Sequence, residues 1–190
     1  MGRMWFAAVV AVLTLAGMGV MGLYSPAAQA SGGGYVKKCS GGKIKVNEQE
    51  KTIFAAHNRI RKNHNLKPFC AQPALMKASR FHSDEELKHD YSDHRSFNGN
   101  RFYESSGKRI QRMGYTSRGF SYYIAGENIA IWSNPKTANK KVMDFWMHSS
   151  GHRANILNGK FHQIGVGVTR GNYKGSSGYT TFTVDFGRRK

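Results

Sequence analysis

The chain is poor in cysteine, proline and acidic residues. Its 190 residues include 2 Cys, 4 Pro and 11 Asp or Glu against 29 Lys or Arg, so the formal net charge is +18. Two cysteines exclude a disulfide-dense mini-protein and a four-cysteine zinc module. A hydrophobic share of 39% and an aromatic share of 12% exclude a disordered low-complexity chain. The length therefore fits one domain with short appendages.

Short enzyme motifs are also missing. The sequence has no H-E-x-x-H, no G-x-S-x-G, no G-x-x-x-x-G-K-[ST] and no C-x-x-C, so the commonest catalytic and phosphate-binding signatures give no lead. The positive charge invites a nucleic-acid interpretation, but no nucleic-acid-binding motif accompanies it. Because acidic residues are so few, each one near a histidine is a stronger candidate for a functional residue than usual.

The one long apolar run lies at the N-terminus. Arg3 is the only charged residue among the first 30, the run covers residues 5–23, and Ala28-Gln29-Ala30 supplies small residues at the spacing of a cleavage site. These features predict a secretory signal peptide over residues 1–30, with an uncleaved membrane anchor as the alternative. Cleavage after Ala30 would leave 160 residues with a charge of +17.

Secretion would carry both cysteines into an oxidising compartment. A Cys39–Cys70 disulfide is then the expected state, and two free thiols are the alternative. Residues 31–46 are rich in Gly and Ser near their start, which predicts a flexible N-terminal segment. Residues 47–190 are expected to form the folded domain.

Helix signals dominate the first part of this domain and strand signals the last part. Asn47 and Glu50 have the spacing of a capping box and predict a helix that ends near Asn63. Apolar spacing predicts further helices at 73–89, 102–113 and 136–147, the last with Val142, Phe145 and Trp146 buried. Strands are predicted at 164–168 and 179–186, joined by a hairpin loop over 171–178. This order favours an α+β sandwich.

Three segments place polar groups in apolar or glycine-rich surroundings. They are Ser92-Asp93-His94, Gly126-Glu127-Asn128 and Ser150-Gly151-His152-Arg153. Glu127 stands between Ile124-Ala125 and Ile129-Ala130-Ile131. Its carboxylate is therefore expected to be buried or half-buried and to need a cation or a hydrogen-bond donor beside it.

Five motifs follow one another along the chain. They are His57-Asn58-x-x-Arg61, Tyr91-Ser92-Asp93-His94, Gly126-Glu127-Asn128-Ile129-Ala130, Trp146-Met147-x-x-x-Gly151-His152-Arg153-x-Asn155-Ile156-Leu157 and Ile164-Gly165-Val166-Gly167-Val168. In these motifs the chain resembles the CAP superfamily of SCP-like extracellular proteins (cysteine-rich secretory proteins, venom allergens and plant pathogenesis-related proteins), and particularly its bacterial secreted branch. The resemblance covers about residues 47–187 and implies an α-β-α sandwich with a three-stranded antiparallel sheet as its core.

The resemblance also implies a cleft lined by two histidines and two acids, which in several eukaryotic members binds a divalent metal such as zinc. His94, Glu127 and His152 match three of these positions, whereas Ser149 stands where eukaryotic members have the second glutamate. Two imidazoles and one carboxylate could hold zinc with a position open to water, which would support hydrolysis. The alternative is a hydrogen-bonded polar cluster that pins the loops.

The remaining histidines give weaker signals. His57 and His82 lie on helical stripes with apolar neighbours and are expected to be core histidines. His148 lies beside the cleft segment and is a substitute candidate ligand.

Two functional hypotheses follow. The first is a secreted, monomeric, non-enzymatic binding module that engages an anionic envelope polymer, a lipid or a glycan, with peripheral membrane contact and without nucleic acid. The second is a metal-assisted hydrolase, such as a peptidase, that uses His94, Glu127 and His152. A solvated basic face that serves only solubility is the plainer explanation of the charge.

Overall fold

The computed structural model describes residues 33–190, so the predicted signal peptide lies outside the described residues. None of the helices in this range is long and apolar enough to cross a membrane. Its helices are α1 (Glu48–Asn63), α2 (Pro73–Lys88), α3 (Ser106–Arg112), α4 (Ala138–His148) and α5 (Ser150–Ile156). Its strands are β1 (Gly34–Lys37), β2 (Lys43–Val46), β3 (Cys70–Ala71), β4 (Ser96–Phe97), β5 (Phe102–Glu104), β6 (Tyr123–Trp132), β7 (Gln163–Tyr173) and β8 (Ser176–Arg189).

The central sheet has the strand order β3-β7-β8-β6. Strands β6, β7 and β8 pair antiparallel, and β3 adds a short parallel strand of two residues beside β7. Alternate residues of β8 point to opposite faces. Phe182, Val184 and Phe186 join the main apolar core with residues of α1 and α4, whereas Asp185 and Thr183 bond to α2. The chain is therefore the predicted α+β sandwich, with helices on both faces of the sheet.

Helix α2 approaches the sheet at backbone distance. A Cβ on Gly165 would lie 2.1 Å from the carbonyl carbon of Leu75, and one on Gly167 would lie 2.3 Å from that of Ser79. Only glycine fits such an approach. The two glycines of the Ile164–Val168 motif therefore seat α2 against β7, close enough for the Ser79 hydroxyl to donate to Asp185 at 2.8 Å.

Helix α1 begins with the predicted capping box. The Asn47 side chain accepts from the backbone N–H of Glu50, and the Glu50 carboxylate accepts from the backbone N–H of Asn47. At its other end Arg61 is fully buried. Its guanidinium donates to the backbone carbonyls of Lys67, Ile156, Asn158 and Phe161. The side chain thus joins the end of α1 to the loop that follows α5.

His57 is the core histidine that the sequence predicts. Its side chain is fully buried among Phe69, Trp146 and Phe186, with ring centroids 5.7–6.5 Å away. Nδ1 lies 2.8 Å from the carbonyl of Ile53, while Nε2 has no partner in the described chain. Burial lowers the pKa of His57 to about 4, so the imidazole is neutral in the folded protein near pH 7.

The described part of the predicted flexible segment 31–46 is ordered. Residues 34–46 form the antiparallel hairpin β1–β2, with Val36 and Val46 buried against the core. The predicted Cys39–Cys70 disulfide is confirmed and ties the hairpin turn to β3. The flexible interpretation was wrong here because the glycines occupy the ends and the turn, while the apolar valines anchor both strands.

Three further predictions need correction. The helix expected over 102–113 is a strand up to Glu104 and a helix only from Ser106, which Ser105 caps. The loop expected over 171–178 is mostly strand, and the two residues between β7 and β8 are Lys174 and Gly175, both with positive φ. Phe145 is 42% exposed, because the inner face of α4 is taken by Val142 and Trp146.

The disulfide closes a loop of 31 residues between Cys39 and Cys70. In the chain-entropy model a loop of that length contributes about 3–4 kcal/mol to stability. We therefore expect the double substitution Cys39→Ala, Cys70→Ala to lower the free energy of unfolding by about that amount, measured by urea denaturation. Thiol titration of the denatured wild-type protein is the control, and two free thiols would contradict the disulfide.

A pH dependence follows from His57. Its pKa falls from 6.5 to about 4 on folding, so its stabilising effect is complete above pH 6.5 and is lost as the pH falls towards 4. Between pH 7 and pH 4.5 we expect the free energy of unfolding to fall by about 2–3 kcal/mol less in His57→Gln than in wild type. Urea denaturation at both pH values measures this difference. His64→Gln, at an exposed position, is the matched control; an equal pH dependence in wild type and His57→Gln would contradict the assignment.

Candidate functional site

Glu127 lies in the middle of β6 with a side chain only 2% exposed. Its Oε1 is 2.8 Å from Nδ1 of His94, and its Oε2 accepts from Nη2 of Arg109. The sequence predicts this burial and the need for a cation. Burial alone would raise the pKa of Glu127, but the hydrogen bond from His94 and the charge of Arg109 outweigh it, so the pKa lies below its usual range.

Arg109 on α3 supplies the buried cation. Its side chain is fully buried, and Nη1 donates to the hydroxyl of Ser96 at 3.0 Å and to the carbonyl of His94 at 3.3 Å. One guanidinium therefore holds together α3, β4, β6 and the loop that carries His94. This fixed geometry presents the imidazole of His94 at the surface, where its side chain is 54% exposed.

His94 is the exposed member of the group. The hydrogen bond to Glu127 raises the pKa of His94, and the carboxylate charge adds to the effect. With Nδ1 directed at Glu127, Nε2 is the nitrogen left for a ligand. The site thus presents a positioned imidazole that stays protonated to a higher pH than a free histidine does.

More acids are buried behind this pair. Glu85 is within 4.0 Å of Arg109 and 2.7 Å from Nδ1 of His82, the second predicted core histidine. Burial and the neighbouring charge of Glu127 raise the pKa of both Glu86 and Asp185 well above their usual values. Asp185 stands directly opposite Glu127 in the β6–β8 pairing. The raised pKa values favour the protonated, neutral form of Glu86 and Asp185 in the fold.

Helix α5 lies beside Glu127. Its Asn155 side chain donates to the carbonyl of Glu127 at 3.1 Å and to Asn128 Oδ1 at 2.9 Å, and Asn128 donates to the carbonyl of His152 at 3.0 Å. Burial and the nearby charge of His94 lower the pKa of His152, whose Nδ1 has no partner in the described chain. No hydrogen bond joins His152 to His94 or Glu127 among residues 33–190.

The donor set does not fit the three-ligand metal site. Both oxygens of Glu127 face protein cations, and Arg109 occupies the position a metal ion would take on Oε2. Within the described range no three His, Cys, Asp or Glu side chains are grouped so that they could hold an ion. His148 does not join the cleft, because its Nδ1 lies 2.8 Å from the carbonyl of Asp144 on its own helix. The arrangement of these side chains therefore favours a polar cluster over a metal centre.

Comparison with known proteins is consistent with this architecture. The sequence profile of the CAP family, described as the cysteine-rich secretory protein family, matches residues 54–186. The chain belongs to this family. It is 38% identical over 122 residues to the uncharacterized protein YkwD of Bacillus subtilis, a match that covers 64% of this chain and 43% of the relative.

Two solved structures show the same fold for this CAP protein. An outer surface protein of Borrelia burgdorferi superposes with a TM-score of 0.60 at 21% identity, covering 77% of this chain and 97% of the other. An extracellular SCP-domain protein of Bacillus anthracis gives a TM-score of 0.56 at 25% identity, covering 77% and 46%. The chain thus spans less than half the length of the two Bacillus relatives.

Sequence reasoning found part of this CAP site and missed part. The motifs located His94, Glu127 and His152, and the structure brings the first two into contact. Arg109 was missed because it lies in a segment dense with basic residues, where nothing separates a buried arginine from a solvated one. Asp185 was missed too, although a lone acid between Val184 and Phe186 in an apolar strand is a signal that could have found it.

The Arg109–Glu127 pair predicts a large stability effect. Glu127→Gln would keep the shape of the side chain but leave Arg109 without its carboxylate, which costs about 3–5 kcal/mol for a buried pair. We also expect the pKa of His94 to fall, because the hydrogen bond to Glu127 is what raises it. Urea denaturation at pH 7 and an NMR titration of the His94 imidazole measure the two effects.

Asp144→Asn is the matched control for this substitution. Asp144 pairs with Lys140 across one helical turn, and both side chains are largely exposed. Such a pair contributes little to stability, because water and salt screen its charges. Equal losses in Glu127→Gln and Asp144→Asn would show that the buried pair does not organise the site.

Proposed function

We propose that this CAP protein is secreted and acts as a non-enzymatic binding module for an anionic component of the cell envelope. The observation that carries the proposal is the unequal burial of charge. Five of the 11 acids are buried: Glu50, Glu85, Glu86, Glu127 and Asp185. Of the basic residues after Arg3, only Arg61 and Arg109 are buried. The solvated surface is therefore more strongly basic than the formal charge indicates, which favours an anionic partner.

The cleft supports the same polarity. His94 presents a raised-pKa imidazole at the surface, while the carboxylate that holds it lies 2% exposed behind it. A ligand that approaches this site contacts the exposed imidazole of His94 before the buried carboxylate of Glu127. An anionic group is therefore favoured over a cationic one.

The chemistry of Glu127 supports binding over catalysis. A general base for reactions near neutral pH needs a pKa close to that pH and access to the substrate. Glu127 has a lowered pKa, a side chain only 2% exposed and one hydrogen bond on each oxygen, from His94 and from Arg109. Both cysteines are in the disulfide, so neither is available as a thiolate nucleophile.

Secretion is supported by the N-terminal sequence and by the relatives. The Borrelia burgdorferi neighbour is described as an outer surface protein and the Bacillus anthracis neighbour as extracellular. A disulfide in the fold suits an oxidising location. Outside the cytoplasmic membrane, phospholipid headgroups and acidic polymers are the abundant anions.

Co-sedimentation with lipid vesicles and with isolated cell-wall material tests the proposal. We expect the mature protein to bind phosphatidylglycerol vesicles or acidic wall polymer, and to bind less as salt screens the exposed charges. Vesicles of phosphatidylcholine alone are the control. Equal binding to neutral and anionic material, or binding to neither, would contradict the proposal.

Metal analysis separates this module from the hydrolase alternative. Mature protein purified with zinc supplied is to be assayed for bound zinc and for zinc-dependent cleavage of a casein substrate. We expect wild type and His94→Gln to show neither stoichiometric zinc nor cleavage. Stoichiometric zinc in wild type that His94→Gln abolishes, together with cleavage, would replace the binding module with a metallohydrolase.

A further inference from the structure

The β1–β2 hairpin has one buried face and one exposed face. Its register pairs Tyr35 with Lys45. Lys37, two residues after Tyr35, pairs with Lys43. Directly paired residues, and residues two apart on one strand, have their side chains on the same face. Tyr35 is 63% exposed and the three lysines are exposed, whereas Val36 on the other face is buried against the core. We call Tyr35, Lys37, Lys43 and Lys45 the lysine face.

The lysine face carries positive charge that the neighbouring residues do not neutralise. Residues 31–47 contain no Asp or Glu. The next acid, Glu48, lies 3.9 Å from Lys51. Glu50 is buried and pairs with Arg80. None of the three lysines of the face makes a salt bridge within residues 33–190. Like charges directly opposite each other on paired strands are destabilising, so an anion bound between them would relieve a repulsion.

The hairpin that carries this face is fixed to the domain at its turn and along β2. The disulfide joins Cys39 in the turn to Cys70. The backbone N–H of Cys39 donates to the carbonyl of Ala71 at 3.0 Å. The guanidinium of Arg80 donates to the carbonyl of Lys45 at 2.9 Å. A backbone that is ordered before a ligand arrives loses little conformational freedom on binding, so the face is preorganised.

The chemistry of the lysine face matches the surface of an anionic phospholipid bilayer. Paired strands lie about 5 Å apart and alternate residues of one strand about 7 Å apart, so the three lysines begin close together on one exposed area. A bilayer presents many phosphates side by side and can offer one to each lysine. The exposed ring of Tyr35 has an apolar body and a polar hydroxyl, which suits the boundary between lipid and water. The tyrosine therefore favours a lipid surface over a polymer that offers charge alone.

The predicted signal peptide also brings this face near a membrane. The apolar run ends at Leu23, and residues 24–34 lead from it to the start of β1. An extended chain rises at most about 3.6 Å per residue, so these residues span at most about 40 Å. Until cleavage the lysine face is therefore kept within that distance of the membrane that the apolar run enters.

We propose that the lysine face binds the headgroups of anionic phospholipids, with its three lysines against phosphates and the ring of Tyr35 at headgroup level. The inference rests on the proposed function and names both the binding surface and the class of ligand. It differs from general attraction to a basic protein, because it assigns most of the affinity to one face. Removal of the same number of charges elsewhere then has a smaller effect.

Two triple variants with the same change of charge test this assignment. Co-sedimentation measures the affinity of the mature protein for vesicles of phosphatidylglycerol and phosphatidylcholine in equal parts. The combination of Lys37→Gln, Lys43→Gln and Lys45→Gln should weaken binding about tenfold or more, since each lysine at an anionic surface contributes to affinity. The matched control replaces three other exposed lysines that make no salt bridge within the described range, by the substitutions Lys136→Gln, Lys141→Gln and Lys160→Gln.

The control triple should weaken binding by less than about threefold, because charges away from the contact act only through screened, longer-range attraction. Thermal unfolding checks the fold of both triples. The triple in the lysine face should unfold at no lower temperature than wild type, because it removes a repulsion between paired lysines. Equal weakening in the two triples would overturn the assignment of binding to this face.

Tyr35→Ser tests the contribution of the ring. The variant should weaken vesicle binding about threefold at low and at high salt alike, since salt does not screen the burial of an apolar ring. Tyr103→Ser is the matched control, because Tyr103 is 43% exposed and lies outside the lysine face. Vesicle binding by Tyr35→Ser that equals that of wild type would overturn the role given to the ring.

The outcomes distinguish this inference from the proposed function. If wild type binds acidic wall polymer but no anionic vesicles, the phospholipid assignment fails while the anionic binding module stands. If wild type binds vesicles and the two triples lose equally, the module stands and the assignment to the lysine face fails. If wild type binds none of the anionic materials, the proposed function itself fails.

Discussion

The salt bridge between the buried guanidinium of Arg109 and Glu127 is the interaction on which the arrangement of the site depends. The same guanidinium lies within 4.0 Å of Glu85. An unpaired carboxylate in such a place would be protonated or would drive the segment out of the core. Arg109 therefore allows β6 to carry a charge at its centre, and this charge fixes the ring of His94.

The other buried carboxyl groups give the stability of the fold a dependence on pH. Glu86 and Asp185 have raised pKa values because they are buried next to Glu127. Their stabilising effect is complete below their ordinary pKa values and is lost as the pH rises through the higher folded values. His57 acts in the opposite direction, since its neutral form is the one that packs in the core. His57 and these two carboxyl groups thus give the stability of the fold opposite dependences on pH.

Much of this architecture could be predicted from sequence, and the misses have physical causes. The capping box at Asn47, the disulfide and the burial of Glu127 depend on local spacing or on strong contrast with neighbours, and the structure confirms them. Local sequence does not predict the strand at Phe102 or the exposure of Phe145. Both depend on which parts of the chain pack at these positions in the folded protein. Arg109 is the clearest case, because burial of an arginine is decided by acids far away along the chain.

The family motifs have a structural role that bears on where ligand specificity lies. Strand β6 is the outer strand of its sheet, and an open edge invites pairing with other chains. Two motif residues cover it: Trp146 donates to the carbonyl of Ile129 at 3.1 Å, and Asn155 donates to that of Glu127. Gly165 and Gly167 also have a structural role, because they allow α2 to pack closely against β7.

Motif residues whose polar groups already bond within the fold have few groups free to bind a ligand. Beside Glu127, the motifs leave the imidazole of His94 half exposed. Selectivity among anions must then come from side chains outside the motifs that border His94, since a single imidazolium distinguishes poorly between a phosphate and a carboxylate. A shared fold can in this way keep one charged anchor and change its partner by changing the side chains around that anchor.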